Sequence, residues 1–276
     1  MTKHYALIGE SLSYSRSPEI HAAILNYLKA EGTYELKEIT KASSVDLQAL
    51  SGILAGYDGF NVTIPYKTTL IPLMDEIDPL AQRIGAINTV HRKQGKFIGY
   101  NTDYDGLKHA LKQLGIMDNR PYSRGVILGT GGSSKMAEVL LEDLNFNEII
   151  VVSRTPARYK GAHKVVDYDT FFRSDFTAEL LLNCTPLGHQ EDPLIAFFKP
   201  EVFDRFTRFM DLGYNPSVTP LMRIAAKSNA QMMNGFLMLV AQAVYAERIW
   251  HLSKFEGDGS VDLNQLIEMV YDALNK

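Results

Sequence analysis

Apolar positions along the chain follow two rhythms that alternate. Short apolar-rich runs at Tyr5–Ile8, Tyr34–Ile39 and Gly59–Thr63 read as strands, whereas Pro18–Ala30 and Val45–Ala55 carry apolar residues at spacings of three and four that predict helices. A β-α-β-α-β order calls for parallel strands joined by crossover helices. Val90–Arg92 and Lys96–Tyr100 flank Lys93-Gln94-Gly95, the pattern of a hairpin turn. A helix over Asp105–Leu114 and a polar loop over Gly115–Arg124 then lead into a second series of strands: Gly125–Leu128, Glu148–Ser153, Lys164–Asp167, Leu180–Asn183, Phe209–Leu212 and Gln231–Met233. Helical stretches, notably Ser133–Leu144 and Thr219–Lys227, fill most gaps, which predicts a doubly wound sheet. Phe236–His251 and Leu263–Leu274 read as the last two helices.

The length of 276 residues exceeds the usual single-domain size, so two α/β domains of roughly 100–150 residues are expected, with the crossing near the Asp105–Leu114 helix. With 46% apolar and 22% charged residues the chain can fill more than one core. A net charge of −4 disfavours a general nucleic-acid binder. Cys184 is the one cysteine, which excludes an intrachain disulfide framework and suits a reducing compartment. The N-terminal apolar run is too short for a signal peptide, and Phe236–Ala246 is about half a membrane span. The expectation is a soluble cytoplasmic protein without a membrane or nucleic-acid partner.

The stretch Gly125-Val-Ile-Leu-Gly129-Thr130-Gly131-Gly132-Ser133-Ser134-Lys135 runs from a buried-type strand through a glycine turn into a helix. Gly129 permits the tight turn, and Gly131 and Gly132 let backbone amides approach a pyrophosphate at the helix N-terminus. About twenty residues after such a loop, NAD enzymes carry an acid for the ribose 2′-hydroxyl. Here the strand ends Val152-Ser153-Arg154-Thr155-Pro156-Ala157-Arg158, with no carboxylate. Two guanidinium groups and two hydroxyls in that place match a 2′-phosphate, so the predicted cofactor is NADP. The domain is therefore expected to be a Rossmann-like, doubly wound NADP-binding domain. A solvated basic turn is the plain alternative.

Three segments of the first half are richer in polar chemistry than packing requires. In Ser15-Arg16-Ser17-Pro18, Ser17 and Pro18 suit a helix N-terminus, while the Ser15 and Ser17 hydroxyls equally suit a bound carboxylate there. Asn61, Thr63 and Lys67 sit at the exit of a strand, where ligands of open α/β sheets collect. Asn88, Asn101 and Asp103 suit turns or a helix cap. Reduction of a ketone needs a hydride donor, a proton donor and groups that hold the substrate. Lys67 is the candidate proton donor and Asp103 the candidate group that orients it. The histidine spacings match no metal-ligand motif, so no metal is expected.

These motifs, in this order and over nearly the whole chain, resemble the shikimate dehydrogenase family. Ser15-x-Ser17-Pro18 looks like that family's carboxylate-binding loop, and Asn61-Val-Thr63-Ile-Pro65-Tyr-Lys67 like its catalytic lysine motif. Gly85-Ala-Ile-Asn88-Thr89 with Asn101-Thr102-Asp103 is similar to its substrate-binding pair, and the Gly129 loop and the Ser153–Arg158 segment to its NADP phosphate sites. Asn183-Cys-Thr185-Pro186-Leu-Gly188, Asp211-Leu-Gly-Tyr214-Asn-Pro216 and Asn234-Gly235-Phe-Leu-Met238-Leu-Val-Ala-Gln242 resemble its later motifs.

The resemblance implies reversible, NADPH-dependent reduction of 3-dehydroshikimate to shikimate in aromatic amino-acid biosynthesis, by a monomer or homodimer acting on a small molecule. It implies Lys67 and Asp103 as catalytic residues, with Ser15, Ser17, Asn61, Thr63, Asn88, Tyr214 and Gln242 binding substrate. Gly129, Thr130, Gly131, Gly132, Ser133, Ser153, Arg154, Thr155, Arg158 and Thr185 would bind the cofactor, with Leu212, Gly235 and Met238 on its nicotinamide side. It also implies a βαβ-type substrate domain over 1–104, completed by helices from 237–276, and an NADP-binding domain over 105–236. Tyr14 stands where the family usually has histidine, Ser153 where asparagine is frequent and Phe236 where leucine is usual. A quinate/shikimate dehydrogenase or side-pathway paralogue is the nearest alternative. A methylenetetrahydrofolate dehydrogenase fits the serine loop and Gln242 poorly, and a silent cofactor-binding regulator would not need Lys67 and Asp103.

Overall fold

The computed structural model describes residues 2–39, 47–116, 120–187, 192–257 and 259–275. It divides into two compact units, Met1–Gly106 with Leu239–Lys276, and Leu107–Met238. These boundaries differ by two residues at each crossing from those the sequence suggests. The start of the predicted Val45–Ala55 helix, part of the Gly115–Arg124 loop, and Gly188 fall outside the described residues.

In the first unit the order is β1 (Lys3–Gly9), α1 (Ser17–Leu28), β2 (Gly32–Glu38), α2 (Leu47–Leu54), β3 (Gly59–Val62), α3 (Tyr66–Thr69), β4 (Glu76–Ile77), α4 (Pro79–Ile84), β5 (Thr89–Lys93), β6 (Lys96–Tyr100) and the start of α5 (Thr102–Gln113). The sheet order is β2-β1-β3-β5-β6-β4. β1 pairs in parallel with β2 and β3, and β5 pairs antiparallel with β3 and β6, which makes the sheet mixed. Gln94 and Gly95 both have positive φ, 53° and 81°, the backbone that a tight hairpin between right-twisted strands requires.

Two sequence expectations need correction here. Helix α5 starts at Thr102 rather than Asp105. Helix α1 starts at Ser17, which is its first helical residue and not its side-chain cap. The short β4 and α4 carry too few residues for a period to show. Helix α4 is nonetheless well marked locally: Asp78 accepts a hydrogen bond from the Leu80 amide at 2.9 Å, Pro79 opens the helix, and Gly85 ends it at φ 71°.

The second unit contains β7 (Tyr122–Leu128), α6 (Gly132–Asp143), β8 (Phe146–Val152), β9 (Lys164–Val166), α7 (Tyr168–Arg173), β10 (Ala178–Asn183), α8 (Pro200–Phe203), β11 (Phe206–Asp211), α9 (Pro220–Ala225) and β12 (Gln231–Asn234). Its sheet runs β12-β11-β10-β7-β8-β9, and every pairing is parallel. Strand order reverses between β7 and β10, so the turns after these two strands open at the switch point of a doubly wound sheet. The C-terminal halves of β7, β8 and β10 are buried, which explains their unbroken apolar runs. Val126, Leu128, Val152, Leu181, Phe171 and Phe209 belong to the core that covers this sheet.

α10 (Phe236–Trp250) and α11 (Leu263–Leu274) close the chain. Within the first unit, Trp250 stacks on Tyr5 with centroids 4.5 Å apart and donates from Nε1 to the Val90 carbonyl at 3.0 Å. Gly59 leaves room for that indole: a Cβ there would collide with it. The Arg16 guanidinium donates to the Leu274 carbonyl at 2.9 Å, tying the start of α1 to the end of α11. No helix among the described residues is long and apolar enough to cross a membrane.

Candidate active site

In the first unit a connected polar network lies at the strand ends. Lys67, on the one-turn helix after β3, forms an ion pair through Nζ with Asp103 Oδ2, and both side chains are largely buried. Asp103 sits in the first turn of α5, so it does not act as that helix's cap. Asn88 serves there instead: its Oδ1 accepts from the Thr102 amide at 2.6 Å. From Nδ2, Asn88 donates to Asp103 Oδ1 at 2.9 Å, Thr102 Oγ1 at 3.1 Å and Gln242 Oε1 at 3.4 Å. Gln242, from α10, is held in turn by its bond to the Leu239 carbonyl at 2.8 Å. The Lys67 carbonyl accepts from the Ile87 amide at 2.9 Å, which fixes the lysine's backbone against the Asn88 segment.

The network continues toward β1 and α1. Asn61 Nδ2 donates to Thr89 Oγ1 at 3.0 Å, and its Oδ1 accepts from the Tyr34 hydroxyl at 2.7 Å. Tyr34 is half-buried beside Ser17, and desolvation of its hydroxyl pushes the phenol well above the ordinary range. Ser15 Oγ donates to Ser17 Oγ at 3.2 Å and accepts from the Ser17 amide at the same distance. Ser17 is not a cap, and its hydroxyl, at the α1 N-terminus, is bonded to Ser15 and Tyr34. Thr63 lies against Gly9, where a Cβ would stand 2.7 Å from the Thr63 methyl.

The structure therefore joins Ser15, Ser17, Asn61, Asn88, Asp103, Lys67 and Gln242 through shared hydrogen-bond partners, with Thr63 at the adjoining strand exit. Tyr14, next to Ser15, is 59% exposed. Tyr34 was missed in the sequence because it reads as an ordinary alternating strand residue. His21 stacks on it at 3.9 Å, and His21 Nδ1 lies 2.6 Å from Glu247 Oε1. Nothing local signals either contact.

In the second unit the glycine turn follows β7. Gly129 has φ +110°, and a Cβ there would stand 2.8 Å from the Thr185 methyl, so the turns after β7 and β10 approach closely. Gly131 is the N-cap of α6 with no side-chain cap, and the first turn of α6 carries no acid. A Cβ on Gly131 would meet nothing within 4 Å. The start of α6 thus presents amides of Gly132 and Ser133 beneath open space, with Thr130 exposed beside them.

After β8, Ser153 Oγ accepts from the Thr155 amide at 3.1 Å. Arg154, Thr155 and Arg158 are exposed, and neither arginine has an ion-pair partner among the described residues. Open amides at a helix start and two uncommitted guanidinium groups at the next strand end fit a dinucleotide with a 2′-phosphate.

Around β10 and β11, Asn183 and Asp211 are buried and joined at 3.0 Å. Asn183 accepts from the Thr185 amide and hydroxyl at 3.1 and 2.6 Å, which sets Thr185. Asp211 accepts from the Gly213 amide at 3.0 Å and the Thr219 hydroxyl at 2.6 Å, which sets the turn carrying Leu212 and Tyr214. Gly235 packs on the Leu212 carbonyl, where a Cβ would collide, and Met238 is buried two residues past the start of α10. Tyr214 belongs to this unit, and the other predicted substrate residues belong to the first. No group of three or more His, Cys, Asp or Glu among the described residues could hold a metal ion.

The fold and these two sites place the chain among proteins of two α/β units, one of them of the dinucleotide-binding kind. The family described as shikimate dehydrogenase substrate binding domain matches residues 7–90. A shikimate dehydrogenase (NADP(+)) of Clostridium beijerinckii is 34% identical over 271 residues, covering 96% of this chain and 97% of that protein. The crystal structure of shikimate dehydrogenase 1 from Peptoclostridium difficile superposes with a TM-score of 0.85 at 32% identity, covering 99% of this chain and 98% of the other. The Thermus thermophilus shikimate 5-dehydrogenase in complex with NADP(H) and shikimate has a TM-score of 0.78 at 29% identity, covering 99% and 100%. The chain belongs to the shikimate dehydrogenase family.

Proposed function

We propose that this protein catalyses the reversible, NADPH-dependent reduction of 3-dehydroshikimate to shikimate, in the shikimate pathway of aromatic amino-acid biosynthesis. The observation that carries the reading is the Lys67–Asp103 pair, held by Asn88 in a network that also reaches Gln242 and is joined through Asn61 and Tyr34 to the Ser15–Ser17 loop. Substrate and cofactor domains correspond to residues 1–104 with 237–276, and 105–236.

Ser15 and Ser17 hold the ring carboxylate at the start of α1, where the helix dipole favours an anion. Asn61, Thr63, Asn88, Tyr214 and Gln242 orient the ring hydroxyls. The amides and side chains of the Gly129–Ser133 turn would hold the pyrophosphate, with Thr185 beside them. Ser153, Arg154, Thr155 and Arg158 would hold the adenosine 2′-phosphate, and Leu212, Gly235 and Met238 would line the nicotinamide side. When bound, NADPH supplies the hydride that the carbonyl carbon accepts.

Lys67 Nζ delivers the proton to the carbonyl oxygen as negative charge develops there, and takes it back in the reverse direction. Asp103 aims that ammonium and accepts from a substrate hydroxyl. Asn88 keeps Asp103 in place by donating to the oxygen that Lys67 does not use. The protein acts on small molecules in the cytoplasm, as monomer or homodimer, without a nucleic-acid or membrane partner. A quinate/shikimate dehydrogenase is the second reading, because the exposed Tyr14 borders the serine loop.

The test is purified protein with NADP⁺ or NAD⁺ and shikimate or quinate, followed at the nicotinamide absorbance. Turnover is expected with shikimate and NADP⁺, and folded protein that gives none overturns the assignment. Faster turnover with quinate moves it to the second reading.

A further inference from the structure

Between β8 and β9 the chain turns through Pro156–Arg158 and returns along α6, and two polar latches fasten it to that helix. The Tyr159 hydroxyl donates to Glu138 Oε2 at 2.5 Å, and Glu138 is 8% exposed. One turn further along α6, Glu142 Oε1 lies 3.0 Å from His163 Nε2. The His163 amide also donates to the Tyr159 hydroxyl, at 3.4 Å. The ring is seated over Gly161, where a Cβ would collide with the Tyr159 phenol. The other end of the segment is fixed as well, because the Ser153 amide donates to the Val166 carbonyl at 2.9 Å.

Within this fastened segment lie Arg154 and Arg158, both exposed. Neither they nor Thr155 contributes to the core or to the latches. We propose that the Tyr159–Glu138 strap is a positioning device for cofactor choice: it pre-orders the two guanidinium groups relative to the α6 N-terminus and so favours the 2′-phosphorylated dinucleotide over the plain one. The proposal rests on the 2′-phosphate reading of Arg154 and Arg158.

The physical reason is preorganisation. A loop that carries two long cationic side chains loses conformational freedom when it grips a phosphate, and a loop already fastened at both ends loses less. The strap runs to the same helix whose first turn presents the pyrophosphate amides, so one rigid rod spaces both anion sites. Burial raises the Glu138 carboxyl above its ordinary range, while the Tyr159 hydroxyl works against that shift by donating to it. The hydrogen bond thus engages the buried Glu138 carboxyl with the tyrosine.

The test measures dissociation constants of NADPH and NADH on the full chain for the wild type, Tyr159→Phe, Gly161→Ala and the double variant Arg154→Ala/Arg158→Ala, each with a thermal melt. Tyr159→Phe keeps the ring and removes the hydroxyl's bonds to Glu138 and to the His163 amide, so NADPH binding is expected to weaken about 3–10-fold with NADH little changed. Gly161→Ala, which displaces the ring, should act in the same direction. Equal weakening of both cofactors, or none, in a folded Tyr159→Phe protein overturns the strap. If the double arginine variant leaves NADPH binding unchanged, the 2′-phosphate reading fails, and that outcome is separate because it does not involve Tyr159.

Discussion

Asn88 shows how much a single amide decides here. Its nitrogen donates to Asp103, Thr102 and Gln242, and its oxygen accepts from the backbone that starts α5. An aspartate at this position would present acceptors to a carboxylate that needs a donor, so only the amide can both start the helix and aim Asp103. Lys67 depends on that aim. Lys67→Ala should lower kcat by about 10²–10⁴-fold, the usual worth of a positioned proton donor, with a much smaller change in KM. Steady-state kinetics with shikimate and NADP⁺ checks this, and a rise in KM alone would make Lys67 a binding group. Lys67, Asn88 and Asp103 stood out in the sequence as polar residues at element ends. Tyr34 did not, because its meaning lies in bonds to Asn61 and Ser17, which β2, β3 and α1 bring together only in three dimensions.

At the scale of elements, the glycine turn after β7 separates two requirements that look alike in sequence. Gly129 is needed by the fold, since its φ of +110° and its approach to Thr185 both exclude a side chain. Gly131 is not: its φ of −83° and ψ of −170° suit any residue, and a Cβ there meets nothing. Its lack of a side chain suits the N-cap position and leaves the α6 amides open to a ligand. Gly131→Val is therefore expected to lower the melting temperature by only about 2–4 °C, the roughly 1 kcal/mol cost of valine at an N-cap, while NADPH binding falls at least tenfold. Gly129→Ala should lower the melting temperature itself. Calorimetric titration and a thermal melt of the two variants distinguish the cases. The long apolar runs of β7, β8 and β10 announced themselves as strands because both faces of a parallel sheet are covered. Pro79–Ile84 and Glu76–Ile77 were too short for any period, although the Asp-Pro start and glycine end of that helix were present as local signals.

For the whole molecule, a ligand that binds only the folded state stabilises it by mass action. NADPH at a hundred times its dissociation constant contributes about 2.7 kcal/mol, which for a chain of this size is a rise in melting temperature on the order of 5–10 °C. NADH at the same concentration should give clearly less, because it offers Arg154 and Arg158 no phosphate. Equal shifts with both cofactors would remove the basis for the preference. The sequence by itself determined the two-part α/β organisation, the glycine turn, the missing acid before Arg154 and the residue types of the active centre. These are local properties, set by side-chain period, backbone freedom and charge within a few neighbours. Tertiary structure alone decided that α10 brings Gln242 to Asn88, that Trp250 stacks on Tyr5, and that Tyr159 reaches Glu138. Those contacts depend on how distant segments pack, and packing energy carries no mark of its partner in the sequence of either one.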